Sequence, residues 1–381
     1  MNQLTIDDTR PFCILPWFHQ VVNTDGSAKP CCVWQGKIDS YNTLDFFKGQ
    51  FMNELRDSFM RGIPHNECQI CTYAESVNNL SIRLSGFETA KQLNINVNDP
   101  LTLHSQDVGL SNICNLKCRM CNQKKSSKWI PDAVAMGAKP VGLLESNWEL
   151  STEQVNTINR LRFPGGEPLM HQDIICKELT KLKDMNRLQF LDLHFTTNMT
   201  IPFTNELINL ISQTTKTSIG CSVDGVEDMN SYIRSDSKWE NIVDNSNELV
   251  KIHKEYKHVV FGFNPVYNIF NAYEFDKLVE WALPYQTWII PNMQCRPMIQ
   301  DARNLPDDIK LDIINKYETV KKKFPKFESK FDIIIKHLRH DRPMDFEKWK
   351  KTFRAHNGFL DIRRHTKLES INPVLANILN N

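Results

Sequence analysis

Apolar positions in the first 75 residues come in short, irregular groups. Turn signals at Asp25-Gly26 and Gly62-Ile63-Pro64 break them, and only 43–61 has helical spacing. Residues 76–100 are polar, end at Asn98-Asp99-Pro100 and read as a connector. From about 101 the pattern changes to an alternation. Apolar runs of strand type lie at 101–110, 158–163, 188–195, 217–223, 258–265 and 287–295. Between them, 173–185, 203–214, 238–253 and 272–282 carry helical spacing. Six strands joined by helices predict a parallel α/β domain, an open sheet or a partial barrel. Beyond 300 the chain reads as helices at 306–324, 326–340 and 345–355, and it contains no internal repeat or low-complexity segment.

Composition narrows the class. The 381 residues are 41% hydrophobic and 24% charged, as in an ordinary soluble protein. Lys+Arg and Asp+Glu number 46 and 45, which weighs against a nucleic-acid coat or a membrane-surface protein. No apolar run approaches the ~18 residues of a membrane span. Residues 1–10 have no apolar h-region, so no signal peptide is expected and a cytoplasmic location is. The neutral total conceals a split. Residues 301–381 hold 18 Lys+Arg against 12 Asp+Glu, leaving 28 against 33 for the rest. The expected reading of that basic tail is a solvated helical cap.

The cysteines carry the chemistry. Eight of the 11 lie within the first 121 residues, and in a reducing cytoplasm they are not expected to be disulfides. Cys13, Cys31, Cys32, Cys68 and Cys71 form one group; Cys114, Cys118 and Cys121 form another. Thiolates spaced so closely suit a soft metal or an iron–sulfur cluster. Cys114, Cys118 and Cys121 follow the first strand of the α/β unit, where strand C-termini collect reacting groups. Three thiolates can hold three irons of a cubane and leave the fourth open, whereas a structural site uses four ligands. The alternative is a zinc knuckle completed by a distant His or Cys.

The C-x3-C-x2-C spacing resembles that of the radical S-adenosylmethionine (radical SAM) enzymes, and three further motifs strengthen the likeness. Arg162-Phe163-Pro164-Gly165-Gly166-Glu167-Pro168 is similar to the family's GGEP motif, Thr197-Asn198 ends the third strand, and Ser222-Val223-Asp224-Gly225 with Arg234 resembles S-x-D-G…R. The resemblance covers about 101–300 and implies a partial (β/α)6 barrel. It implies that Cys114, Cys118 and Cys121 hold a 4Fe–4S cluster whose open iron is chelated by SAM. It implies that Gly165 and Gly166 admit the methionine moiety, that Glu167 accepts a hydrogen bond from the SAM ammonium, and that Asn198, Ser222 and Arg234 bind the ribose and carboxylate. Electron transfer from the cluster then yields a 5′-deoxyadenosyl radical that abstracts hydrogen from substrate. An external donor such as a flavodoxin or ferredoxin is implied as well. The position before the third cysteine is commonly aromatic in the family; here it is Met120, whose thioether can pack in the same place.

The first cysteine group resembles the start of the auxiliary-cluster modules called SPASM or, when truncated, twitch. Since no further cysteine follows Cys71 before Cys114, the twitch form with one auxiliary 4Fe–4S cluster is expected. The resemblance implies Cys13, Cys31, Cys68 and Cys71 as ligands, with Cys32 the alternative to Cys31. A four-cysteine zinc ribbon would use the same residues. Such modules usually follow the radical SAM domain, whereas this one precedes it.

The expected organisation is therefore a loop-rich module at 1–75, a connector at 76–100, a radical SAM core at 101–300 and a helical region at 301–381. The expected activity acts on a peptide or protein side chain or a small molecule, with no membrane or nucleic-acid partner. The alternative is a non-catalytic zinc or iron–sulfur scaffold that keeps the fold. Cys176, Cys221 and Cys295 read as core thiols, as do Trp281, Tyr285 and Trp288 as core aromatics.

Overall fold

A computed structural model describes residues 12–36, 38, 43–78 and 81–380, so the reading of 1–10 lies outside the described residues. The chain divides into two compact units. The first takes the described residues up to Asn112, Leu143–Phe195 and Thr204–Ser218; the second takes Ile113–Gly142, Thr196–Phe203 and the chain from Ile219.

In the first unit lie β1 (His19–Val22), β2 (Ala28–Lys29), β3 (Ser105–Val108), β4 (Arg160–Phe163) and the starts of β5 (Asp192–Thr197) and β6 (Lys216–Cys221). Their order is β2-β1-β3-β4-β5-β6. β3, β4 and β5 run parallel, with Asp107 opposite Arg162 and Arg162 opposite His194. Alternation along β4 and β5 sorts side chains by face. Leu161, Phe163, Leu193 and Phe195 are fully buried on one, while Arg160, Arg162, Asp192 and His194 occupy the other. Phe163 stacks on Phe195 at 5.6 Å and meets Trp148 edge-on at 5.7 Å. The second unit contains the end of β6 followed in the sheet by β7 (Val259–Phe263), the pair β8 (Val266–Tyr267) and β10 (Asn292–Met293), and β9 (Trp288–Ile289) beside β7. The α/β sheet is thus mostly parallel, and every run expected to be a strand contains one.

The differences have local causes. The run at 287–295 splits into β9 and β10 because Pro291 between them lacks a backbone N–H for the ladder. The helix expected at 43–61 is two, Thr43–Lys48 and Gln50–Met60, separated at Gly49, whose backbone is extended (ψ 174°). A Cβ on Gly49 would stand 2.5 Å from the Asp45 carbonyl oxygen, so no larger residue fits that break. Within the stretch read as a connector, Ile82–Gln92 is helical and buries Gly86, Phe87, Thr89 and Ala90. Ser81 caps it by accepting from the Leu84 amide at 3.1 Å.

The N-terminal segment is loop-rich, yet its β1 pairs in parallel register with β3, His19 opposite Ser105 and Val22 opposite Val108. Its core gathers Phe12, Leu15, Trp17, Phe18, Phe47 and Phe59. In the C-terminal part, Phe346–Arg364 is the longest helix and buries Trp349, Phe353, Asn357, Leu360 and Arg364. Among the described residues no helix is long and apolar enough to cross a membrane.

Candidate functional site

The loop bearing Cys114, Cys118 and Cys121 belongs to the second unit and is held from several sides. Leu116 is fully buried, Cys114 and Cys118 are 8% exposed, and Met120 and Cys121 pack against them. The Ser126 hydroxyl donates to the Leu116 carbonyl at 2.5 Å, and the Trp129 indole N–H donates to the Cys118 carbonyl at 2.6 Å. Lys117 N and Arg119 N donate to the carbonyls of Ser235 and Ile233 at 3.1 and 2.8 Å. Each backbone group so fixed is one fewer that could rotate the sulfurs apart.

Two polar side chains reach the sulfurs. Asn198, one residue past β5, directs Nδ2 at Cys114 Sγ across 3.9 Å and also donates to Asn115 Oδ1 at 2.9 Å. Its own Oδ1 accepts from the Thr200 amide and hydroxyl at 3.0 and 2.6 Å, which sets the amide's orientation. Arg234 directs Nη1 at Cys118 Sγ across 3.7 Å. Asp224 grips the same guanidinium, with Nε 2.8 Å from Oδ2 and Nη2 3.1 Å from Oδ1. Asp224 is in turn held by the Val266 amide at 2.7 Å. Burial opposes the charge on Arg234, but Asp224 and then Cys118 more than offset it and raise its pKa. Burial pushes the Cys118 thiol up to about 12 against the pull of Arg234, and it also raises Cys121. Buried thiols with cationic and amide donors at the sulfur suit a set that binds as thiolates to a metal cluster. Ser222, just after β6, donates its amide to the Thr197 carbonyl at 2.8 Å and so ties two strand ends together.

Residues 108–282 match the family model described as the Radical SAM superfamily. The chain carries a radical SAM domain. Its span contains all three loop cysteines, the GGEP-like turn and Arg234. Solved structures similar to this chain include native anSMEcpe with bound AdoMet, at 20% identity over 49% of this chain and 51% of that one, with a TM-score of 0.36. The same protein with bound AdoMet and Cp18Cys peptide matches at 18% identity over 58% and 61%, TM-score 0.40. Streptococcus suis SuiB bound to precursor peptide SuiA matches at 14% identity over 73% and 60%, TM-score 0.38. The chain thus spans about half to three fifths of the length of these structures. No protein of curated function matches it.

The GGEP-like turn of the radical SAM domain follows β4 in the first unit. Gly165 and Gly166 have φ of 81° and 56°, left-handed conformations that glycine adopts without a Cβ penalty. Glu167 is 1% exposed and its Oε1 accepts from the Leu169 amide at 3.2 Å, starting the short turn Pro168–His171.

The N-terminal thiols also lie in the first unit. Cys13 lies within electrostatic reach of Cys31, Cys68 and Cys71, and burial, with a smaller contribution from these neighbours, holds its pKa well above the usual thiol value. Burial pushes Cys31 up to about 12, with Cys32 and then Cys71 adding to it, and pushes Cys68 up to about 11, with Cys71 adding to it. Cys32 is exposed, and the charged side chains that influence it most are Asp107, Arg162 and Lys29. Among the described residues no three His, Cys, Asp or Glu side chains converge on one single-ion position. Arg83 was not singled out from the sequence. It pairs with Glu75 at 2.5 Å, donates to the Phe12 carbonyl at 3.0 Å and interacts electrostatically with Cys13 and Cys71. The sequence signal for it was slight: it is the first basic residue after the C-x2-C pair, at some distance from Cys71.

Cys176 and Cys221 are buried at 3% and 0% exposure. Cys295 is exposed, not a core thiol, because the broken strand there leaves it beyond the end of β10. Trp281 and Tyr285 are half-buried and pack around the fully buried Phe263 at 4.9 and 5.6 Å.

Proposed function

We propose that Cys114, Cys118 and Cys121 hold a 4Fe–4S cluster and that the chain is a radical SAM enzyme acting on a peptide side chain or a small molecule. The observation that carries the reading is Arg234, locked by Asp224 and directed at the sulfur of Cys118. When bound, the cluster supplies the electron that cleaves SAM reductively to a 5′-deoxyadenosyl radical, which takes a hydrogen atom from the substrate. The chain's own residues do the rest. Asn198 and Arg234 place N–H donors at two thiolates, Gly165 and Gly166 keep the turn after β4 clear of side chains, and Glu167 offers a carboxylate for the SAM ammonium. Asn198, Ser222 and Arg234 are proposed for the ribose and carboxylate.

Cys13, Cys31, Cys68 and Cys71 are proposed to hold an auxiliary 4Fe–4S cluster that assists oxidation or bond formation. The mutual influence of these four thiols supports it, and the different neighbours of Cys32 favour Cys31 as the ligand. A flavodoxin or ferredoxin is the proposed electron donor, in the cytoplasm. Anaerobic reconstitution followed by reductant and SAM tests the proposal. About eight irons and formation of 5′-deoxyadenosine are expected; stoichiometric zinc without SAM cleavage overturns it.

A further inference from the structure

Arg119 lies between Cys118 and Cys121, yet its side chain points to the C-terminal helix Phe346–Arg364. The guanidinium is completely buried and almost fully satisfied. Nε donates to the Tyr232 carbonyl at 2.9 Å and Nη1 to Asn357 Oδ1 at 2.7 Å. Nη2 donates to Asp361 Oδ1 at 2.5 Å and to Thr366 Oγ1 at 2.8 Å. The charged carbon stands 3.7 Å from the centroid of the Tyr232 ring, a cation–π contact.

The acceptors are themselves fixed. Asn357 Nδ2 donates to the Tyr232 hydroxyl at 2.9 Å, and the Thr366 hydroxyl donates to Asp361 Oδ1 at 2.8 Å. The main chain of Arg119 is pinned too: its N–H donates to the Ile233 carbonyl at 2.8 Å, and its carbonyl accepts from Gln300 Nε2 at 2.9 Å. Ile233 immediately precedes Arg234, the residue that reaches Cys118. A second link joins the same helix to the loop's far end. Arg363 and Arg364 pair with Asp132 at 2.8 and 3.0 Å, and Arg364 lies over the Trp129 ring whose indole holds the Cys118 carbonyl.

We infer that helix Phe346–Arg364 is part of the cluster-holding apparatus, with Arg119 as the positioning residue through which Asn357 and Asp361 set the geometry of Cys118 and Cys121. This rests on the three cysteines binding a 4Fe–4S cluster. A planar guanidinium spanning four acceptors fixes its own orientation, and the peptide on either side of it leads directly to a ligand. The loop is therefore pre-ordered before iron arrives, and iron is lost more slowly once it is bound.

The test follows the EPR signal of the reduced cluster that changes when SAM is added, in the full chain, while an iron chelator competes for the metal. Asp361→Asn is expected to shed that signal about tenfold faster than the parent, the scale on which outer contacts act at metal sites, and to shift the cluster's midpoint potential, which a purely structural role would not move. The pair Arg119→Met with Asp361→Leu replaces the buried ions by apolar groups and guards against misfolding in the single variant. It too is expected to lose the signal faster, and Arg119→Lys to fall between it and the parent. Folded variants that keep both the signal lifetime and the potential of the parent overturn the inference. A parent chain that takes up iron but shows no SAM-responsive signal instead overturns the cluster reading on which it rests.

Discussion

Arg234 reaches the sulfur of Cys118 across 3.7 Å with its guanidinium held on both sides by the carboxylate of Asp224. The cation is thereby aimed; without its anion it would be buried and unpaired. Asp224→Asn is expected to destabilise the protein by about 3–5 kcal/mol, the cost of breaking a buried pair. Arg234→Lys keeps the charge but loses the fork, so SAM cleavage is expected to fall about tenfold or more with iron retained. Denaturation midpoints and 5′-deoxyadenosine yield check the two; a Lys variant as active as the parent defeats the assignment.

Cys31 and Cys32 are neighbours in sequence with different surroundings. Cys31→Ser is expected to lower reconstituted iron from about eight to about four per chain, and Cys32→Ser to leave it unchanged. Iron analysis with Mössbauer spectra reads both directly, and the reverse pattern makes Cys32 the ligand.

His19 is 5% exposed, and burial, followed by the nearby arginines, lowers its pKa to about 4, with Asp107 pulling the other way. The folded state therefore binds fewer protons than the unfolded state between about pH 4 and 6.5. Its contribution is complete above pH 6.5 and is lost as pH falls toward 4, amounting to roughly 3 kcal/mol at most. His194, lowered to about 3 by burial and then Arg162, acts in the same direction. Thermal midpoints of the parent should drop between pH 7 and 5, and His19→Gln should flatten that drop. An unchanged slope in the variant would remove His19 as the source.

The turn after β4 gives a fourth test. Alanine at Gly165 or Gly166 must adopt a positive φ, which costs roughly 1–2 kcal/mol each. A lower thermal midpoint is expected from either substitution, together with a raised SAM concentration for half-maximal cleavage. Unchanged values for both would show that the turn has another available conformation.

The parts of this fold legible in the sequence are those with a period or a spacing. The strand–helix alternation from 101 placed a strand in each of its six runs, because residues such as Leu161, Phe163, Leu193 and Phe195 alternate with polar neighbours as a pleat requires; it did not show the break between β9 and β10 or the short β8. Cys114, Cys118 and Cys121 announced themselves by short spacing. β1 did not, since His19 and Gln20 are polar and are buried by their pairing with β3. Nor could Arg119 and Asp361, which are 242 positions apart and share no periodic signal. The basic tail, read as a solvated cap, sends Arg364 into the interior to meet Asp132, with 1% of its side chain exposed. Composition records how many charges a segment has, while their partners are set only when the chain folds.

The pairing of β1 with β3 also governs how the protein can be cut. A fragment beginning after Cys71 would uncover the flank of Ser105–Val108 and leave a row of backbone donors and acceptors open to another chain. The cysteine segment is thus a seam in the sheet as well as a thiol-bearing loop. Anyone transplanting the core would need to bring that seam along or close the edge with charge or proline.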